Sequence, residues 1–124
     1  MSAPNIVSVS SILGKTVANT PPTNTATVLL ANQPNSSQVF KINTITASNL
    51  DGSSAINCSV AYNTGVSGNG TNYFIANTIS VPASATLIVI DKSTSFYLEE
   101  NTSIMITSGT ASKLAFLASY EIIS

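Results

Sequence analysis

No window of ten or more residues in this chain spaces its apolar positions at a helical repeat; short runs rich in Ile, Val and Thr recur instead, separated by Asn, Gly, Ser and Pro. β-Branched side chains are stiff at the first torsion and fit a pleated surface, so a chain built from them prefers strands. Short alternating runs broken by frequent turn residues are the pattern of a sandwich or barrel. The expected fold is all-β: an antiparallel β-sandwich, jelly-roll-like, with eight or nine short strands. At 124 residues the chain can bury one core but is short for two. A single domain over 1–124 is expected, with 1–18 either an N-terminal arm or the first strand.

"NIVSVSSILGKTVA" reads as one strand or two short ones, ending at "NTPPTN", where Pro21 and Pro22 cannot donate to a ladder. In "TATVLLA" the alternation puts Ala26, Val28 and Leu30 on one face, and "NQPNSS" is a turn. In "QVFKINTITASN" Phe40 and Ile42 share one parity while Ile45 and Ala47 share the other, so a β-bulge or a change of sheet is expected near Asn43. Asp51-Gly52 predicts a tight two-residue hairpin loop with positive φ. Ile56, Cys58, Val60 and Tyr62 predict a buried face, with Asn57, Ser59, Ala61 and Asn63 facing water. "NTGVSGNG" holds three of the six glycines and predicts a mobile exposed loop. The strand after it, "TNYFIANTISV", places Tyr73, Ile75, Ile79 and Val81 on one side before Pro82 turns the chain back.

Charge excludes several functions. Only 7% of residues are charged, and the cations are four lysines, Lys15, Lys41, Lys92 and Lys113. So few cannot neutralise a run of phosphates, so nucleic acid is not an expected partner. A net charge of -1 offers no attraction to an anionic membrane surface, and no apolar run approaches the length of a membrane helix. Ser, Thr and Asn supply 48 residues, which bind water without the mutual repulsion that keeps copies apart. Self-association is therefore expected. The opening "MSAPNIVSVSS" lacks a basic segment and a long apolar one, so no signal peptide is expected. Four Asn-x-Ser/Thr matches, at Asn35, Asn57, Asn69 and Asn101, are what chance gives in so Asn-, Ser- and Thr-rich a chain.

Catalysis finds little to work with. There is no histidine to act as the base of a hydrolytic triad, and no phosphate-cradling loop or metal-ligand cluster, so no cofactor is expected. Cys58, the only cysteine, permits no intrachain disulfide and sits in the alternating run "INCSVAY", where a small buried hydrophobe fits. Two acids would have to face one cleft for glycosidase chemistry, and Asp51, Asp91, Glu99, Glu100 and Glu121 are the whole inventory.

The densest charge lies in "ATLIVIDKSTSFYLEEN". Glu99 and Glu100 would diverge on a strand, since successive side chains point to opposite faces; the better reading is a solvated turn. Just before them, Leu87, Ile88, Val89 and Ile90 make a strand apolar on both faces, which lies inside the fold or is covered by another subunit. Ile88 and Ile90, with Ile6 and Val7, form the expected assembly interface. The second candidate surface is the glycine loop and its flanks: Tyr62 and Tyr73 to stack on sugar rings, Asn63, Asn69 and Asn72 to bond their hydroxyls. Tyr62 and Tyr73 packing beside a hairpin is the plainer explanation.

"MSAPNIVSVSSILGKT", "VFKINTITASNLDGSSA", "ISVPASATLIVIDKSTSFYLEEN" and "LASYEIIS", in that order, resemble small β-sandwich virion structural proteins of tailed phages infecting marine bacteria and cyanobacteria. In that group a strand ends in "N-x-D-G", a turn reads "VP-x-x-A-T-L", another "YLEEGD", and the last strand is like "SYEEIS". Here Asn101-Thr102 stands for Gly-Asp and Ile122 for a glutamate, and the loop from Gly65 to Gly70 is long. The resemblance implies a component of a phage particle with a β-sandwich fold. Taken with the two-faced apolar strand and the scarcity of charge, the expectation is a non-enzymatic virion protein made in the host cytoplasm, most directly a capsid decoration or cement protein, homo-oligomeric and seated on the major capsid protein. The alternative is a tail, neck or fibre component that binds host-surface glycans through 62–73. It implies no functional residues.

Overall fold

The computed structural model describes residues 10–124. Nine strands form: β1 (Ile12–Asn19), β2 (Thr27–Asn32), β3 (Val39–Asn49), β4 (Ile56–Asn63), β5 (Asn72–Val81), β6 (Thr86–Ile90), β7 (Phe96–Leu98), β8 (Thr102–Ser108) and β9 (Leu114–Ile123). All pairings are antiparallel. One sheet runs β1-β9-β3-β6, with β7 sharing the β6 edge of β3; the other runs β2-β8-β4-β5. If β6 and β7 are taken as one interrupted strand, this is the order of a jelly roll, whose consecutive strands mostly alternate between two sheets. Ile6 and Val7 lie outside the described residues.

The core lies between the sheets, with Ile42, Ile45, Val60, Ile104, Ile106 and Phe116 almost wholly enclosed. Each such side chain contributes about 1.5–3 kcal/mol through burial. The slip expected near Asn43 is there: the β3–β9 register shifts between Ile42 and Thr44, so Phe40 and Ile42 on one side of it and Ile45 and Ala47 on the other all face inward.

Several expectations are corrected. In β2 a second bulge falls between Val28 and Leu30, and the extra residue, Leu29, enters the core while Val28 pairs outward with Met105. Asp51-Gly52 is not a hairpin turn. β3 and β4 belong to opposite sheets, about 10 Å apart in such sandwiches, and a two-residue loop cannot make that crossing. Asp51 instead folds the longer connection, its carboxylate accepting from Ser53 N at 2.9 Å and Ser54 N at 3.2 Å. Ile56, Cys58 and Val60 are buried as expected, but Ala61 and Asn63, expected to face water, are 2% and 1% exposed. In β5 the register to β4 shifts twice and Thr78 takes φ 54°, which breaks the expected single face.

Candidate functional site

The glycine loop is folded back rather than projecting. Asn63, the last residue of β4, accepts at Oδ1 from Gly65 N at 2.8 Å and Gly70 N at 2.9 Å, and its amide donates to Asn72 Oδ1 at 2.6 Å. Ser103 Oγ donates to the Gly65 carbonyl at 2.6 Å. Gly68, at φ 78°, rests on Met105, which faces outward from β8. The loop therefore lies over the outer face of its own sheet, and this cover is why Ala61, Asn63 and Ser103 are buried. A freely mobile loop does not fit these ties.

That geometry divides the expected sugar-binding set. Asn63 is spent on the loop's own backbone. Tyr62 is half-buried between the sheets, edge-on to Phe96 with ring centroids 6.3 Å apart. Asn69, Asn72 and Tyr73 remain exposed, as does Phe74, which shares the face of Asn72 while Tyr73 lies on the other face of the strand. The described residues enclose no cavity at this or any other position.

The expected assembly residues divide as well. The β3–β6 register shifts between Ile45 and Thr46, so Val89 is an extra residue: Ile90 pairs inward with Ile45, and Ile88 pairs outward with Thr46. Without that bulge the two isoleucines would share a face. Ile90 is thus in the chain's own core at 5% exposure, and only Ile88, at 64%, is presented. Thr46 also pairs with Leu117, and Leu117 with Ala18, so Ile88, Thr46, Leu117 and Ala18 form one row across four strands of the outer face. The rows on either side hold Thr44, Ser119 and Thr16, and Ser48, Ala115 and Thr86. These three rows carry no charge; Lys41 and Glu121, with Tyr97 beside Lys41, come one row further on. Leu117 was missed because nothing in the sequence announces that it aligns with Ile88; only the register of three strands does.

The acidic residues sit apart. Glu99 and Glu100 lie between β7 and β8, in a turn as expected, but only Glu99 is exposed; Glu100 is half-buried, its Oε2 accepting from Ser37 N at 2.7 Å. Asn101 takes φ 63°, so it supplies the left-handed conformation a glycine would. Hydrogen bonds from Ser53 hold the Asp51 carboxyl below its ordinary range, and those from Ser93 do the same for Asp91. Both stay ionised and make poor proton donors near neutrality. Cys58 is buried as expected, and burial pushes its thiol up to about 11, which removes the thiolate a nucleophile needs. Among the described residues no three His, Cys, Asp or Glu side chains gather where a metal could be held.

No protein-family model matches the chain, and no curated protein matches it. Among solved structures it is similar to a protein of the Bacillus endospore appendages, which are described as a novel family of disulfide-linked pili. The two chains are 18% identical, the alignment covers 92% of this chain and 88% of the other, and the TM-score is 0.50. The likeness is one of fold and carries no link to phages.

Proposed function

We propose that the chain is a non-enzymatic structural subunit of a tailed-phage particle, a decoration or cement protein that seats the outer face of the β1-β9-β3-β6 sheet on the capsid shell. The observation that carries the reading is the uncharged row Ile88, Thr46, Leu117 and Ala18, with two large apolar side chains 64% and 46% exposed on the outer face of one sheet. Ile88 and Leu117 flank Thr46 in an uncharged Ser/Thr surround, which a partner can cover without desolvating a charge. Each contact is modest, and many identical copies on a shell sum them. The sequence resemblance supports a particle, and the likeness to a pilus structure supports the same class of fold in an assembling role. Negative-stain microscopy of particles assembled with and without the chain tests it: added surface density and slower shell disruption are expected, and unchanged density and stability would rule out the capsid.

A tail, neck or fibre position is the second reading, favoured by the exposed group Asn69, Asn72, Tyr73 and Phe74 at one end of the sandwich. A glycan array decides whether that group binds sugars.

A further inference from the structure

Ser11 and Ser124 exchange both main-chain hydrogen bonds, Ser11 N to Ser124 O at 3.0 Å and Ser124 N to Ser11 O at 2.9 Å. Bonded and non-bonded pairs alternate along an antiparallel ladder, and the register from Ile12↔Ile123 to Asn19↔Phe116 is unbroken. The odd-numbered residues of β1 therefore bond β9, while Ile12, Gly14, Thr16 and Ala18 turn their N–H and C=O groups to the other side. Among the described residues no strand takes that side.

The other three edges of the sandwich are blunted in ways that resist pairing. β5 shifts register twice and carries Thr78 at φ 54°. β2 has six residues with Leu29 bulged, and β6 has five with Val89 bulged. Only β1 is long and regular, with eight residues, no bulge and one charge, Lys15. Water can bond such an exposed row of main-chain donors and acceptors, and another extended strand matches its spacing and can displace that water.

We propose that β1 pairs antiparallel with β1 of a second copy about a twofold axis at Thr16, joining the two β1-β9-β3-β6 sheets into one continuous sheet. A twofold axis normal to the sheet keeps both cores on one side only if residues of like parity face each other. Two such registers are centred on β1. Centred on Lys15, the two ammonium groups would stand directly opposite, which is destabilising. Centred on Thr16, each Lys15 faces Val17, Gly14 faces Ala18, and Thr16 faces its own copy in a bonded pair. That register forms about six main-chain hydrogen bonds, two for each bonded pair, and the net charge of -1 leaves little repulsion to oppose it. The pairing deepens the self-assembly reading above and rests on it, but not on the particle. A wild-type chain that binds particles but never dimerises sinks this proposal alone; a wild-type dimer that does not bind particles sinks the other alone.

The test is sedimentation equilibrium of the purified chain with two cysteine variants and one proline variant. The wild type is expected at twice the chain mass. Thr16→Cys is expected to oxidise to a linked pair, because bonded partners stand about 5.5 Å apart at Cα, within disulfide reach. Ile12→Cys, far from its own copy in this register, is expected to stay unlinked, and the enclosed Cys58 gives no background. Thr16→Pro removes an N–H that β9 does not use, and is expected to give a folded monomer. A wild type that is monomeric at every concentration, or that grows into open filaments, would overturn the proposal. So would equal linking of Ile12→Cys and Thr16→Cys, or a Thr16→Pro chain that remains dimeric.

Discussion

Gly68 lies directly against Met105: a side-chain carbon added at Gly68 would stand 2.7 Å from the methionine Cε and 2.8 Å from its Sδ. A side chain there would have to push the flexible end of Met105 aside. Gly68→Ala carries two costs, the contact and the φ of 78°, and the second alone is worth about 1–2 kcal/mol. In urea denaturation, Met105→Ala should restore the part of the Gly68→Ala loss that comes from the contact and leave the conformational part. Full restoration would mean that the backbone geometry is not strained.

Asn63→Ala should destabilise the fold by about 1–3 kcal/mol, the cost of leaving buried main-chain groups unpaired, because the Gly65 and Gly70 amides both lose their acceptor. Asn69→Ala, one exposed residue earlier than Gly70, should stay within about 0.5 kcal/mol of the wild type. Amide exchange should quicken over 64–71 in the first variant and not in the second.

Asn63 belongs to a repeated device. β2, β3 and β4 end at Asn32, Asn49 and Asn63, each buried and each tying the outgoing chain. Asn32 donates to the Gln38 and Leu98 carbonyls, and Asn49 to those of Ser54 and Val81. An asparagine closing each apolar run is visible in the sequence, but a polar residue beside a loop reads as a surface group, which is how Asn63 came to be expected among sugar-binding residues. The bulge at Asn43 was legible because the apolar parity changes there. Those at Leu29 and Val89 were not, since "VLL" and "LIVI" are apolar at both parities and show no slip. For the same reason the division of Ile88 from Ile90 had to come from the register. The Asp51 loop was misread because its residues suit a tight turn, while its length is set by the distance between sheets that local sequence does not record.

Val60→Asp should abolish folding, since an unpaired charge in the core costs several kcal/mol, comparable with the whole stability of a small domain. Val60 is wholly enclosed between the sheets. Glu99→Gln should leave both the fold and any particle binding unchanged, because Glu99 is exposed in its turn. Far-UV circular dichroism checks the first. Loss of function with an intact fold in the second would reopen the case for carboxylate chemistry.

Stability should fall at both ends of the pH range. Asp51 and Asp91 are held below their ordinary value of 3.8, so the stability they contribute is present above that value and is lost as pH falls toward and through their lower folded values. Cys58 is shifted the other way, from 9.0 to about 11. The unfolded chain releases this proton first, so stability is full below pH 9 and declines as pH rises through that window. Urea midpoints measured from pH 8 to 11 should decline less steeply in Cys58→Ala than in the wild type; equal slopes would show that the enclosed thiol is not responsible.

The central claim is that the uncharged outer row of the β1-β9-β3-β6 sheet is what the chain offers to an assembly. Its most direct test is the occupancy of tailed-phage particles by the double variant Ile88→Lys with Leu117→Lys, whose two sites are exposed and whose fold should be unaltered by circular dichroism. The account predicts near-complete loss of bound chain relative to the wild type. Occupancy equal to the wild type, with both lysines in place, would contradict it.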